Sequence, residues 1–246
     1  MSDNQVGTYK FEAFPFHLDV RGKLSMGVLG KHLLNCADAY AAERGFDVVE
    51  QGGEHYTWVL SRLAIELEDL PSCHESFSIQ TWVENVYRLF ADRNFAILNK
   101  DDKPIGYVRS VWAMISMETR TPANLLALHG ERITNSICEK ECPIAKPGRV
   151  KVSQQEAVSE YVAKYSDLDI NGHVNSIKYI EQILDLFPLE TYKEKALKRF
   201  EIAYVAESYY GDALSFYLEQ KDENEYDIEV KKNNHEVVVR SKVIFK

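Results

Sequence analysis

Cysteine is scarce in this chain. Cys36, Cys73, Cys138 and Cys142 are the only four among 246 residues, too few for a disulfide framework. No second cysteine pair or histidine cluster accompanies Cys138 and Cys142, so no metal site is expected, and nothing in the sequence calls for a cofactor. Long apolar runs are missing too, which argues against membrane insertion by a helix. The opening residues Met1-Ser2-Asp3-Asn4-Gln5 show no basic start followed by an apolar core. Neither a secretory signal nor an Arg-rich transit peptide is therefore expected, and the cytoplasm is the expected compartment. Positive charge is also in deficit. With 29 Lys and Arg against 38 Asp and Glu, the formal net charge is −9, and a general nucleic-acid binder needs the opposite balance.

What is present describes a water-soluble globular protein: 45% hydrophobic, 11% aromatic and 27% charged residues. The length can hold one large domain or two of roughly 100–120 residues, each large enough to bury a core. A repeat decides for two. Leu18-Asp19-Val20-Arg21-Gly22-Lys23-Leu24 returns 150 positions later as Leu168-Asp169-Ile170-Asn171-Gly172-His173-Val174. Further on, Leu60-Ser61-Arg62-Leu63-Ala64-Ile65 matches Leu197-Lys198-Arg199-Phe200-Glu201-Ile202, and Val108-Arg109-Ser110 matches Val239-Arg240-Ser241. The spacing shrinks from copy to copy, as it does when loops are deleted between unchanged elements. Carrying the second register forward places Leu70 opposite Glu207 and Pro71 opposite Ser208. Asn171, His173 and Glu207 thus stand in the second copy where the first has Arg21, Lys23 and Leu70. A doubled scaffold with catalytic-type residues in one copy points to one active site per chain.

Each copy reads as strand, turn, long helix and several strands. In the first, helical spacing of Leu29, Leu33, Cys36, Ala37 and Tyr40 predicts a helix over about 24–44, stopped by Gly45. Strands are predicted near 56–68, 76–86, 90–98 and 105–116. In the second copy a helix is predicted over about 173–187, with Val174, Ile177, Ile180, Ile183, Leu184 and Phe187 on one face and Pro188 beyond its end. Strands follow near 197–208, 214–219, 225–231 and 236–245. The expected fold is α+β, a tandem double hot-dog in which each half wraps an antiparallel sheet around a long central helix. The expected boundaries are an N-terminal unit at 1–135, a Pro- and Gly-containing linker at 136–150 and a C-terminal, catalytic unit at 151–246.

At this point the residues resemble a known family, the acyl-ACP thioesterases, which hydrolyse fatty acyl chains from acyl carrier protein. The stretch from Ser166 to Ile180, with Asp169-Ile170-Asn171-Gly172-His173-Val174-Asn175 at its centre, looks like the family's catalytic signature. Ile202-Ala203-Tyr204-Val205-Ala206-Glu207 looks like its second signature. The first half resembles the non-catalytic half at Thr57-Trp58-Val59-Leu60-Ser61-Arg62 and Ser110-Val111-Trp112-Ala113-Met114-Ile115. The resemblance implies that Asp169, Asn171, His173 and Glu207 form the catalytic set and that acyl carrier protein is the partner. Ser208 departs from the plant pattern, which has a cysteine there, so a thiol nucleophile at that position is excluded.

Thioester hydrolysis needs a base for water, donors for the carbonyl oxygen and an apolar slot for the tail. Glu207 is the expected base. Gly172 and His173, at the expected helix start, are expected to offer backbone N–H groups to an oxyanion, with the helix dipole keeping the imidazole neutral. Asn171 would orient the water or the glutamate. Direct attack by Glu207 through an anhydride stays open. Because Asp19 matches Asp169 in the copy without chemistry, a purely structural role for Asp169 in fixing the turn is an equal reading. The acyl tail is expected between helix and sheet of the first copy, with Met26, Val28, Leu29 and Leu33 as pocket candidates. Two basic clusters, Lys193, Lys195, Lys198 and Arg199 or Lys146, Arg149 and Lys151, are candidates for meeting an acidic carrier. Alternatives are an acyl-CoA thioesterase, a hot-dog hydratase, and a non-catalytic acyl-thioester-binding module. Homodimerisation is left open by the doubled chain.

Overall fold

A computed structural model describes residues 5–246, and in it the chain forms two units. The first runs to Leu63 and resumes over Glu68–Ala145; the second holds Lys146–Lys246 together with the four residues Ala64–Leu67.

The first unit opens with β1 (Gly7–Glu12), followed by helix α1 (Met26–Glu43). The Ser25 hydroxyl caps α1 by accepting from the Val28 N–H, and Gly45, at φ +67°, turns the chain out of it. Leu29 and Leu33 on its inner face are fully buried, each contributing about 1.5–3 kcal/mol by leaving water. Then come β2 (Val49–Gln51), β3 (Glu54–Leu67), β4 (Ser76–Val86), β5 (Ala91–Leu98) and β6 (Pro104–Ser116). The strand order is β1-β4-β5-β6-β3, with β2 pairing on β3, and α1 packs on β1 and β4. β5 is buried at every position, as a strand flanked on both edges and covered on its faces must be.

The stretch between β6 and the second unit packs against the first. Helices α2 (Leu125–His129) and α3 (Glu131–Thr134) follow β6, and Ile133 of α3 packs with Tyr40, Phe46 and Val83. Cys138, Cys142 and Ile144 pack with Trp82, so residues up to Ala145 belong to the core of the first unit.

The second unit contains β7 (Ser159–Val162), α4 (Ser176–Leu184), α5 (Leu189–Glu194), β8 (Leu197–Tyr204), β9 (Ala213–Asp222), β10 (Glu225–Lys232) and β11 (Glu236–Phe245). Its strand order is β7-β9-β10-β11-β8. The five strands follow the order of the first unit one for one, so the sequence repeat is a repeat of topology. α4 is shorter than its periodicity predicts. The Asn175 side chain accepts from the Ile177 N–H and fixes the start at Ser176, so His173 stands before the helix and not at its first turn. The Tyr204 hydroxyl donates to the Ser176 carbonyl at 2.9 Å and ties that first turn to β8.

Candidate active site

The repeated segment folds into one turn in both units. In the second, an Asp169 carboxylate oxygen accepts from the backbone N–H of Asn171 at 2.8 Å and of His173 at 3.1 Å. The Asp169 carbonyl accepts from the Gly172 N–H at 3.1 Å, and its N–H donates to the His173 carbonyl at 2.8 Å. Asp19 does the same in the first unit, accepting from Arg21 at 2.9 Å and Lys23 at 3.2 Å. The aspartate holds the turn wherever it occurs.

Glycine is required at one place in this turn. Gly22 and Gly172 take φ of +72° and +80°, a region that disfavours other residues, while Asn171 does not. A Cβ at either glycine meets nothing within 4 Å, so the whole cost of a side chain there is conformational. Gly22→Ala and Gly172→Ala are each expected to lose about 1–2 kcal/mol in urea unfolding. Wild-type midpoints would show that the turn relaxes without strain.

The next hydrogen bond sets the site. The Val174 N–H donates to the Ser208 carbonyl at 2.8 Å, just as Leu24 donates to Pro71 at 2.8 Å, which is the pairing expected from the two repeat registers. This places Glu207 beside His173: Nε2 lies 3.5 Å from a Glu207 carboxylate oxygen. Both side chains keep access to water, at 18% and 37% exposure, so a solvent molecule can reach the pair. The same place in the first unit is closed to chemistry. Leu70 is buried there, Lys23 pairs with Asp69 at 2.9 Å, and Arg21 pairs with Asp19 at 2.8 Å.

Several expectations need correction. The N–H groups of Gly172 and His173 both point at Asp169, so neither is spare for an oxyanion, and with α4 starting at Ser176 the helix dipole does not act on the imidazole as expected. Asn171 shares the turn with its side chain exposed, and its amide makes no hydrogen bond among the described residues. Arg199 is buried and binds Glu201 and Glu66, each at 2.7 Å, which removes it from any docking surface.

Tyr209 was missed. Its hydroxyl donates to the Glu207 carboxylate at 3.1 Å, and its ring meets the His173 imidazole edge to face at 5.2 Å. The signal in the sequence is weak: carrying the register one residue past Ser208 sets Tyr209 against Ser72, which differ in size and aromaticity while both carry a hydroxyl. Lys232 from β10 donates to the Glu207 carbonyl at 3.0 Å and steadies the loop after β8 that bears the carboxylate.

The first unit holds a cavity of about 190 Å³. α1 contributes Leu34, Ala37, Asp38 and Ala41 from its second half, at helical spacing. Met26, Val28, Leu29 and Leu33 lie elsewhere: the other three are buried in the core, and Val28 is half-buried. The residues nearest the repeated turn were the conspicuous ones in sequence, whereas the cavity opens toward the other end of the helix.

A protein of two like α+β units, the second setting an imidazole against a carboxylate where the first has Lys23 and Leu70, is the class defined by this fold and site. The family description for the acyl-ACP thioesterase N-terminal domain matches residues 5–127, and that for the C-terminal domain matches residues 150–246. The chain belongs to the acyl-ACP thioesterase family. It is similar to an acyl-ACP thioesterase from Bacteroides thetaiotaomicron of known structure, with 61% identity, a TM-score of 0.94 and 99% of each chain covered. The 12:0-ACP thioesterase from Umbellularia californica shares the fold, with a TM-score of 0.81 at 16% identity over 98% of this chain and 97% of that one. The chloroplastic palmitoyl-acyl carrier protein thioesterase of Gossypium hirsutum is 24% identical over 216 residues, 83% of this chain. The chain spans about half the length of that relative, 52%. No helix among the described residues is long and apolar enough to cross a membrane.

Proposed function

We propose that this protein hydrolyses the thioester of fatty acyl-acyl carrier protein, releasing free fatty acid and the carrier's thiol. The 3.5 Å approach of His173 Nε2 to the Glu207 carboxylate, in one copy of a doubled scaffold only, carries the reading. Glu207 takes a proton from water as the oxygen adds to the thioester carbonyl carbon. The tetrahedral intermediate then collapses with cleavage of the C–S bond, and the departing thiolate takes up a proton. His173 donates from its ring to the water or the carbonyl oxygen, and Asn171, whose amide has no partner among the described residues, orients the water. Asp169 holds the turn. Each unit is read as a hot-dog, the first supplying the acyl pocket through its cavity and the second the chemistry.

The carrier assignment is supported by family membership and by the naming of its relatives for acyl-ACP. Thiol release from acyl-ACP and acyl-CoA of equal chain length, measured side by side with hydration of an enoyl thioester, tests it. Faster turnover of acyl-ACP is expected; preference for acyl-CoA, or hydration alone, would replace the reading. Tyr209→Phe should slow hydrolysis about tenfold, the kinetic equivalent of one hydrogen bond to a charged group worth about 1.5 kcal/mol. An unchanged kcat would reduce Tyr209 to packing.

A further inference from the structure

The cavity of the first unit is apolar on most of its wall, with Phe46, Val83, Ala91 and Ile133 buried around it, and one buried residue breaks that pattern. Arg93, from β5, lines the cavity and is only 6% exposed. Its guanidinium carries five N–H donors. One of them reaches the Ala37 carbonyl at 3.3 Å, and the group lies 4.7 Å from the Tyr40 ring centroid. No carboxylate of the described residues comes within ion-pair distance of it, although buried Arg199 binds Glu66 and Glu201 and half-buried Arg109 pairs with Glu84. Burial draws the Arg93 pKa down to about 10, which still leaves it cationic at neutral pH.

A buried cation with spare donors is costly unless something accepts from them. A plain hydrocarbon tail does not, and it would also displace whatever water does. We propose that this cavity selects acyl chains bearing a neutral oxygen acceptor along the hydrocarbon, a hydroxyl or oxo group, which receives hydrogen bonds from Arg93. Asp38, exposed at the same cavity, opposes entry of a chain that ends in a carboxylate and so favours the neutral acceptor. The inference rests on the reading that the acyl tail enters this cavity.

The test compares acyl-ACPs of one chain length, one unsubstituted and others with a hydroxyl moved along the chain, on wild type and Arg93→Met. For at least one hydroxyl position, wild type is expected to show about tenfold higher kcat/KM than for the plain chain, and Arg93→Met to reverse that order. The same ratio in both enzymes, or no favoured position, overturns the proposal. Binding of free hydroxylated and plain fatty acids to wild type, followed by the fluorescence of Trp58 and Trp112 in the cavity wall, gives an answer that needs neither the variant nor turnover. Tighter binding of the hydroxylated acid supports the proposal and equal affinity sinks it. Absence of hydrolysis on every acyl-ACP would sink the proposed reaction while leaving this binding comparison to decide the pocket.

Discussion

Replacing His173 or Glu207 by alanine is expected to slow thiol release from acyl-ACP at least about a hundredfold, while the protein stays folded. Each variant removes a group that acts on the reacting atoms: the alanine at 207 takes away the base, and the alanine at 173 takes away the ring that holds water against it. A hundredfold loss corresponds to about 2.7 kcal/mol of transition-state stabilisation, within the range of general acid–base catalysis. Folding should survive because both side chains are partly exposed and the turn is held by backbone bonds to Asp169 that neither substitution touches. The matching changes in the first unit, Lys23→Ala and Leu70→Ala, would separate site from scaffold: the former should leave turnover near wild type, and the latter should cost stability because Leu70 is buried. Rates near wild type in both His173→Ala and Glu207→Ala would remove the site and favour an acyl-binding module.

Arg199→Met is expected to destabilise the protein by about 3–5 kcal/mol, the largest stability effect anticipated for a single substitution here. Arg199 and Glu201 are 7% and 6% exposed, with Nε 2.7 Å from one carboxylate oxygen of Glu201. The other oxygen accepts from the Gly148 N–H at 2.6 Å. Methionine fills the volume but leaves the Glu201 carboxylate buried without its cation. Adding Glu201→Gln to Arg199→Met should recover most of the loss, because the uncompensated charge is then gone. Urea unfolding of the two variants decides the matter. A loss below about 1 kcal/mol for Arg199→Met would mean that water reaches the glutamate and that the pair is worth no more than a surface one.

Doubling was the most legible feature of the sequence because it needs only self-comparison. The matched strand orders and the paired Leu24–Pro71 and Val174–Ser208 hydrogen bonds follow the two registers read from the chain. His173 and Glu207 were legible for the same reason, since contrast between copies marks what the scaffold does not need. Helix boundaries were less so. Apolar periodicity continues from Val174 through the turn into α4, and only the Asn175 cap, a local side-chain bond, separates the two. The backbone donors of Gly172 and His173 were misassigned because nothing in residue spacing tells whether an N–H faces a substrate or an aspartate four residues back. The cavity lining was out of reach as well. α1 buries residues along most of its length, and which stretch faces a void depends on Phe46, Trp58 and Ile133, which come from three other segments.

The central claim is that Glu207 and His173 act as one unit on the thioester, and a double-substitution cycle measures it most directly. Thiol release from a single acyl-ACP would be followed for wild type, His173→Ala, Glu207→Ala and the variant carrying both changes. If the two groups serve the same step, the double variant should be no more than a few fold slower than the worse single one. Losses that multiply would mean that each group contributes independently, and the shared water between them would have to be given up.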